Sequence, residues 1–582
     1  MQVLQKGIQK LDEHSAYDLV VIGAGGAGLA AALFAAMEGA SVLLVERTEF
    51  VGGTTAWSAG TSWIPGSKHA AKVNPGDTLA ETRRYLDNAV GDRTSKAVRE
   101  AFLQNGRAAV DEVESRSELK YRPYPKHPDY ISDLGGSTLN GRALEPLPFD
   151  GRLLGRELFA LLRPPIPEFT VIGGMMVDRT DINHLLAMTR SWASFRHSVK
   201  IVLRHAMDRL SWPRGTRLVM GNAHVARLLY SLSRHEKVTI ALNTTVAHIV
   251  RGTHGVERVD LECGGERRSI RVNKGLVLAS GGFNRHPELR AQMLPGVPGE
   301  WSPAAPGHTG QAHDLARHLG AVYGQGGLSH AFWAPVSLRP RADGSTAVFP
   351  HFVMDRAKPG MITVNAKGER FLNESTSYHL FGLAMQQAHQ STPSIPAYLV
   401  CDAEALRKYG IGMVRPNQQP GGKGLAPFLA DGYLTAGATL AELAGKLGMD
   451  PQALQASVQQ NNRNAETGVD PDFHRGETAY QQNLGDPAWT GKNPNIGPLQ
   501  TAPFYAVRLY PGDIGASTGF ATNEHAQVLG ADGQVIGGLY AVGNDMHSIM
   551  GGTYPAPGIT IGPGLVFARI AARHALGLDD QD

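Results

Sequence analysis

Three groups of residues in this 582-residue chain have types and spacings that could do chemistry. The first is Gly23, Gly25 and Gly28, a GxGxxG spacing that follows the apolar run ending at Ile22, with Glu46 further on. The first glycine of such a unit allows a tight turn, the second lets backbone amides approach a pyrophosphate, and the third lets a helix pack closely on a strand. The acid, about 20 positions later, is placed to accept hydrogen bonds from a ribose hydroxyl. The second group is Gly52, Gly53, Thr54, Thr55 and Ser58. Here the backbone can pass close to a flat ligand while hydroxyls and amides face ring and phosphate oxygens. A nicotinamide dehydrogenase has no need of a second cluster directly after the acid, so the pair of clusters reads as a flavin site. The third group is tyrosines: Tyr121, Tyr124 and Tyr130 in a proline-rich stretch that can be neither a regular helix nor a central strand, and Tyr554 between two glycine-rich turns.

These groups need elements to hold them. Residues 17–47 read as strand, helix and strand, with the helix amides pointing at the phosphates. Gly26 and Ala27 open that helix, Arg47 follows the acid, and Ala59 and Gly60 close the second cluster; all five join the candidate cofactor contacts. Val225, Leu228, Leu229 and Leu232 keep helical spacing, and two strands follow, the second carrying Val246. LVLASGG places Ala279, Ser280 and Gly281 where backbone must approach the cofactor. A strand ending in a Gly543–Asn544 turn precedes an apolar run with Pro563 in the first turn of a helix. That helix, with Ile559 and Thr560 just before it, aims its positive end at the flavin ring.

The fold class expected is α/β, a Rossmann-type FAD-binding domain with an inserted α+β catalytic domain. The boundaries expected are a tail at 1–16, the FAD-binding domain at 17–330 and 503–582 with a helical excursion at 151–215, and the catalytic domain at 331–502. The chain is 42% hydrophobic and 19% charged, with a net charge of +3 and no basic stripe interleaved with aromatics, so nucleic acid is not an expected partner. Cys263 and Cys401 lack ligand spacing, and neither a disulfide framework nor a metal site is expected. The first residues have no apolar core, and no run reaches the length of a membrane span. A cytoplasmic location follows by default, with peripheral membrane contact left open.

The loop FVGGTTAWSAG resembles the FAD-binding loop of the fumarate reductase and 3-ketosteroid dehydrogenase flavoprotein superfamily. It lacks the histidine through which some relatives attach FAD, which implies non-covalent FAD. PDY followed by GG and GR, and GERFLNESTSY, are similar to segments of 3-ketosteroid Δ1-dehydrogenases; the likeness assigns a functional tyrosine to Tyr130 and the base to Tyr378. YPAPG is similar to that family's Tyr-Pro-Gly-Pro-Gly, in which the tyrosine hydroxyl and the last glycine's amide grip a carbonyl oxygen, here Tyr554 and Gly558; Ala556 replaces a glycine. The resemblance runs from about residue 17 to 575. It implies 1,2-desaturation of the A ring of a steroid ketone, with the C2 proton to Tyr378, the C1 hydride to the flavin, and a quinone-like or other electron acceptor. The rival readings are a 3-ketosteroid Δ4-dehydrogenase, a flavin enoate reductase of the fumarate reductase kind, and a non-catalytic FAD-binding scaffold.

Overall fold

In a computed structural model, which describes residues 1–5, 7–11, 15–253, 255–352, 355–418 and 423–578, the chain builds two large sheets. The first is organised on Ala16–Ile22 and Val42–Val45, paired in parallel register with Leu19 opposite Val42; the apolar residues 19–22 and all of Val42–Val45 are buried. Val238–Ala241 extends the sheet on one side. On the other lies Glu266–Leu278, whose first half pairs antiparallel with Gly255–Cys263 and whose second half pairs parallel with both Ala16–Ile22 and Val535–Ala541. The helix Gly26–Met37 is nearly all alanine, glycine and leucine on its buried positions. Small side chains let it pack closely between the sheet and the helix Ile561–Leu576.

The second sheet is antiparallel, in the order Thr346–Pro350, Ala331–Pro340, Phe504–Ala516, Ala397–Cys401, Met361–Val364. Helices capped by side chains cover it. Asp450 accepts the amide of Gln452 at 2.9 Å, and Thr439 that of Glu442 at 3.1 Å.

Two boundaries differ from the sequence expectation. Gln2–Leu4, assigned to a tail, pairs in parallel with Val238–Ala241 at the edge of the first sheet, where Leu4 is buried. Phe504–Ala516, assigned to the returning FAD-binding domain, is instead the strand around which the second sheet is built. Its 13 residues pair with Ala331–Pro340 on one side and Ala397–Cys401 on the other, and the chain returns to the first sheet only at Gln527–Leu529. Segment 151–215 contains the helices Gly155–Leu161, Arg179–Leu186 and Trp192–Ser211. Among the described residues no helix is long and apolar enough to cross a membrane.

Candidate active site

The glycine unit has the geometry its spacing asks for. Gly23 sits at φ +104°, and a Cβ there would lie 2.3 Å from the Ala279 carbonyl. A Cβ on Gly28 would lie 1.8 Å from the Gly23 carbonyl, so helix and strand close only on glycine. On Gly25 a Cβ would meet nothing within 4 Å, so the protein leaves that side of the turn open. Gly52 bridges Gly25 and donates to the Ala24 carbonyl at 2.8 Å, which lays the second cluster on the first. Thr55 Oγ1 accepts from Gly26 at 3.3 Å and Ser58 Oγ from Gly60 at 3.0 Å, so these hydroxyls also shape the loop. One Glu46 oxygen accepts the Ala24 amide and the other the Thr48 amide, each at 2.9 Å. The carboxylate thus braces the turn besides being available to a ribose. The Arg47 guanidinium donates to the hydroxyl of Thr309. Val246 is buried at the start of its strand; just before it, Thr244 donates to the Glu46 carbonyl at 3.0 Å.

Ala279, Ser280 and Gly281 turn out of the sheet beside this loop. Asp545 accepts the amides of Ser280 at 2.5 Å and Gly282 at 2.7 Å, and His313 stands 2.9 Å from the same carboxylate, fully buried. This pair ties the 279–282 turn to the Gly543–Asn544 turn. No sequence pattern marks this pair, although Asp545 directly follows the Gly543–Asn544 motif. A cavity lined by Phe332, Asn544, Thr560 and Pro563 lies at the start of the helix Ile561–Leu576, whose first turn carries no side-chain cap. Ile559 and Gly543 line the same cavity. The residues fit a flavin dinucleotide. Gly25 leaves room for phosphates, an uncapped helix start faces the cavity, and Ser280 Oγ and His308 Nδ1 are buried with no hydrogen-bond partner among the described residues. Thr54 Oγ1 accepts from Ala305 at 2.9 Å and stands 3.3 Å from His308 Nε2; burial lowers the His308 pKa to about 4, so the ring is neutral.

The tyrosines converge. The Tyr130 hydroxyl donates to that of Tyr378 at 3.1 Å, and the ring of Tyr554 lies 5.8 Å from Tyr130 and 5.1 Å from Tyr378, centroid to centroid. Tyr121 and Tyr124 do not join the triangle: Tyr121 lies by His224, and Tyr124 meets His127 edge to face. Tyr378 opens the helix Tyr378–His389, with Ser377 as its N-cap. The loop before it hangs on Arg356, a buried guanidinium that donates to the carbonyls of His351, Phe352, Glu374 and Thr376 at 2.6–2.9 Å. Glu374 is held by Arg370 at 2.8 Å and Arg475 at 3.3 Å, so the charged part of GERFLNESTSY is a brace and the tyrosine beyond it faces the site. Gly558 adopts φ +84°, and a Cβ there would lie 2.4 Å from the Thr61 carbonyl.

Phe332, Phe352 and Tyr480 complete an aromatic wall. Phe332 lies 5.1 Å from Tyr554, Phe352 lies 4.9 Å from Tyr378, and Tyr480 lies tilted 4.6 Å from Tyr130. Tyr480 lies in the expected catalytic domain, but no local sequence pattern marks it. Burial, followed by the neighbouring phenols, holds Tyr378 and Tyr130 well above the usual phenol range. Burial also raises Tyr554, against hydrogen bonds to Tyr378 and Thr560 that lower it. The arrangement can offer phenol donors to a carbonyl oxygen and one phenol in position to take a proton.

The profile of the FAD-binding domain family matches residues 18–561. The chain is 35% identical over 572 residues to the 4-oxocyclohex-2-ene-1-carboxylate 5-dehydrogenase of Sinomonas cyclohexanicum, covering 98% of this chain and 95% of that one. It is also 35% identical over 571 residues to a 3-oxosteroid 1-dehydrogenase of Mycolicibacterium smegmatis, covering 96% of each. Among solved structures it resembles the 3-ketosteroid delta1-dehydrogenase of Sterolibacterium denitrificans in complex with 1,4-androstadiene-3,17-dione, with a TM-score of 0.89 and 31% identity over 97% of this chain and all of that one. FAD is the cofactor of this chain, and the chain belongs to the family of FAD-dependent flavoprotein dehydrogenases that contains the 3-oxosteroid 1-dehydrogenases.

Proposed function

We propose that the protein desaturates the C1–C2 bond of a 3-ketosteroid. The observation that carries this reading is the Tyr130, Tyr378 and Tyr554 triangle on an aromatic wall, with Gly558 in a conformation that restricts the position to glycine. The relatives named above act on cyclic ketones of two sizes, a steroid and a cyclohexene carboxylate. The polar inventory favours the neutral one. Arg356, the buried cation behind the tyrosines, spends its donors on four backbone carbonyls, and the aromatic wall offers no charge to a carboxylate.

In this mechanism the Tyr554 hydroxyl and the Gly558 amide donate to the C3 carbonyl oxygen. Each stabilises the developing enolate by roughly 3 kcal/mol. A raised pKa suits Tyr554, because a donor must keep its proton. Tyr378 takes the C2 proton on its phenolate oxygen, and Tyr130 donates to that oxygen and stabilises its charge. FAD, when bound, would supply the hydride-accepting chemistry for C1, and its electrons would pass to a quinone-like or other acceptor. Gly23, Gly25, Gly28, Glu46, Gly52 to Thr55, Ser58 and Ala279 to Gly281 would hold it. The aromatic wall excludes water from the enolate.

The test is anaerobic addition of a 4-ene-3-ketosteroid to the purified yellow protein. Bleaching of the flavin, with a 1,4-diene identified by mass and NMR, is the expected result. Bleaching by a 4-oxocyclohexane carboxylate but by no steroid would replace the steroid with the smaller ring.

A further inference from the structure

His547 stands on the stretch that follows the Gly543–Asn544 turn, and the backbone there is tied down without help from its side chain. The amide of His547 donates to the Phe520 carbonyl at 2.9 Å and that of Ser548 to the Ser517 carbonyl at 2.9 Å, while Asp545, two residues back, has His313 as its partner. The imidazole is only 8% exposed, yet neither ring nitrogen has a hydrogen-bond partner. Among the described residues it is the one histidine with both ring nitrogens buried and unpartnered. Burial, and then the charge of His330, lowers its pKa to about 4, so the ring is neutral and carries one N–H and one lone pair. A buried donor left unmade destabilises the folded state, and native proteins keep few of them. This ring is therefore shaped for a partner that the polypeptide does not supply.

Its surroundings say which partner. On one side lies the loop 324–328, pinned where Gly324 donates to the Gly519 carbonyl at 3.0 Å and Leu328 to the Gly551 carbonyl at 2.8 Å. A Cβ on Gly324 would lie 2.2 Å from Cγ of His547, so the ring stands in its place only because the loop has a glycine there. On the other side is the cofactor cavity, which His547 lines together with Asn544, Thr560 and Pro563. Phe332 lines it too and packs 5.1 Å from Tyr554, which makes this the end of the cavity next to the tyrosines.

We propose that His547 is a flavin ligand whose ring N–H donates to an acceptor atom on the rim of the isoalloxazine. The nitrogen and carbonyl acceptors of that rim gain negative charge when the flavin is reduced, and a hydrogen bond to a charged acceptor is about twice as strong as one to a neutral acceptor. The donor thus favours the reduced flavin and raises its reduction potential, in the same sense as the uncapped start of the helix Ile561–Leu576. The inference rests on FAD as the cofactor and is independent of which ketone is oxidised.

The test is the midpoint potential of the FAD-loaded protein, measured by anaerobic equilibration with a redox dye in the wild type, His547→Phe and His547→Gln. His547→Phe keeps a flat ring against Gly324 and loses the donor. Reduced flavin should then be held about tenfold less tightly relative to oxidised flavin, which for two electrons is a midpoint about 30 mV lower. His547→Gln keeps a side-chain N–H and should recover more than half of that shift. A role confined to packing would lower the melting temperature of both variants and leave the potential in place, and that outcome overturns the proposal. So does a raised KM for the ketone at unchanged potential, which would give the ring to the substrate. NMR of wild-type protein with isotope-labelled histidine gives a readout that needs no variant to fold: the ring nitrogens of a neutral histidine should shift when the bound flavin is reduced, and His547→Gln should lack that signal. If no histidine signal moves on reduction, or if the moving signal persists in His547→Gln, the proposal is wrong.

Discussion

The backbone amide of Tyr130 donates to the carbonyl of Pro555 at 2.7 Å. Tyr85, buried, donates its hydroxyl to the same carbonyl at 2.5 Å and accepts the amide of Ile131 at 3.3 Å. The loop that carries Tyr130 and the loop that carries Tyr554 and Gly558 are therefore one unit, although more than 400 residues separate them in the chain. A displacement of either loop moves the group behind the base and the carbonyl donors together.

Tyr130→Phe keeps that backbone bond and the stacking, and removes only the hydroxyl aimed at Tyr378. A hydrogen bond to a charged group contributes about 1.5–3 kcal/mol, so turnover should fall about 10- to 100-fold. The flavin spectrum and melting temperature should stay near wild type. Stopped-flow bleaching of the flavin measures the loss; an unchanged rate would show that the 3.1 Å contact carries no catalytic weight.

Tyr378→Phe should cost more, about 10²–10⁴-fold, because the proton acceptor itself is gone. The pH profile gives the sign. Burial, ahead of the neighbouring phenols, raises the Tyr378 pKa well above the usual value of about 10, so near neutrality almost all of it is protonated and the active fraction grows with pH. The rate of flavin bleaching should rise by up to about tenfold per unit through the alkaline range, with no plateau below about pH 9. In the phenylalanine variant this slope should vanish. A wild-type plateau near pH 7 would assign the proton transfer to another group.

Two glycines separate cofactor binding from folding. Gly25→Ala adds a methyl that touches no protein atom, at a φ of −74° that alanine tolerates. The protein should fold with nearly unchanged stability and purify with little FAD, because the methyl fills the phosphate side of the turn. Gly28→Ala puts the methyl 1.8 Å from the Gly23 carbonyl and should fail to give soluble protein. Absorbance at the flavin band and a thermal melt check both. Acid precipitation of the wild type should leave a colourless pellet, since the loop at Gly52 to Ser58 has no histidine to hold FAD covalently.

Much of this site was legible because its chemistry uses local patterns. The glycine spacings, the Gly543–Asn544 turn and the YPAPG loop each need particular residues at fixed offsets; Gly543 and Asn544 line the cavity, and Tyr554 joins the tyrosine triangle. What was not legible depends on partners far apart in the chain. Asp545 is a brace only because His313 and the 280–282 turn reach it, and Arg356 clamps a loop through carbonyls that have no sequence signature. Phe504–Ala516, expected within the FAD-binding domain, pairs into the second sheet, and an apolar strand does not declare which neighbours it pairs with.

Tyr554→Phe separates a ketone dehydrogenase from a dicarboxylate reductase. The Tyr554 ring lies between Phe332 at 5.1 Å and Tyr378 at 5.1 Å, so phenylalanine fits the same space and the variant loses a hydroxyl without a cavity. If that hydroxyl binds the ketone oxygen most strongly as it becomes an enolate, its contribution is concentrated in the transition state. Turnover should then fall about 10²- to 10³-fold, by the measure of one lost oxyanion donor, while substrate binding weakens much less. Exchange of the C2 hydrogen with deuterated solvent should slow in parallel, because exchange passes through the same enolate. A variant that binds steroid weakly but turns it over at the wild-type rate would make Tyr554 a substrate clamp. Normal exchange and turnover in the variant, or fast fumarate reduction by the wild type, would remove the basis for reading the YPAPG loop as a grip on a ketone.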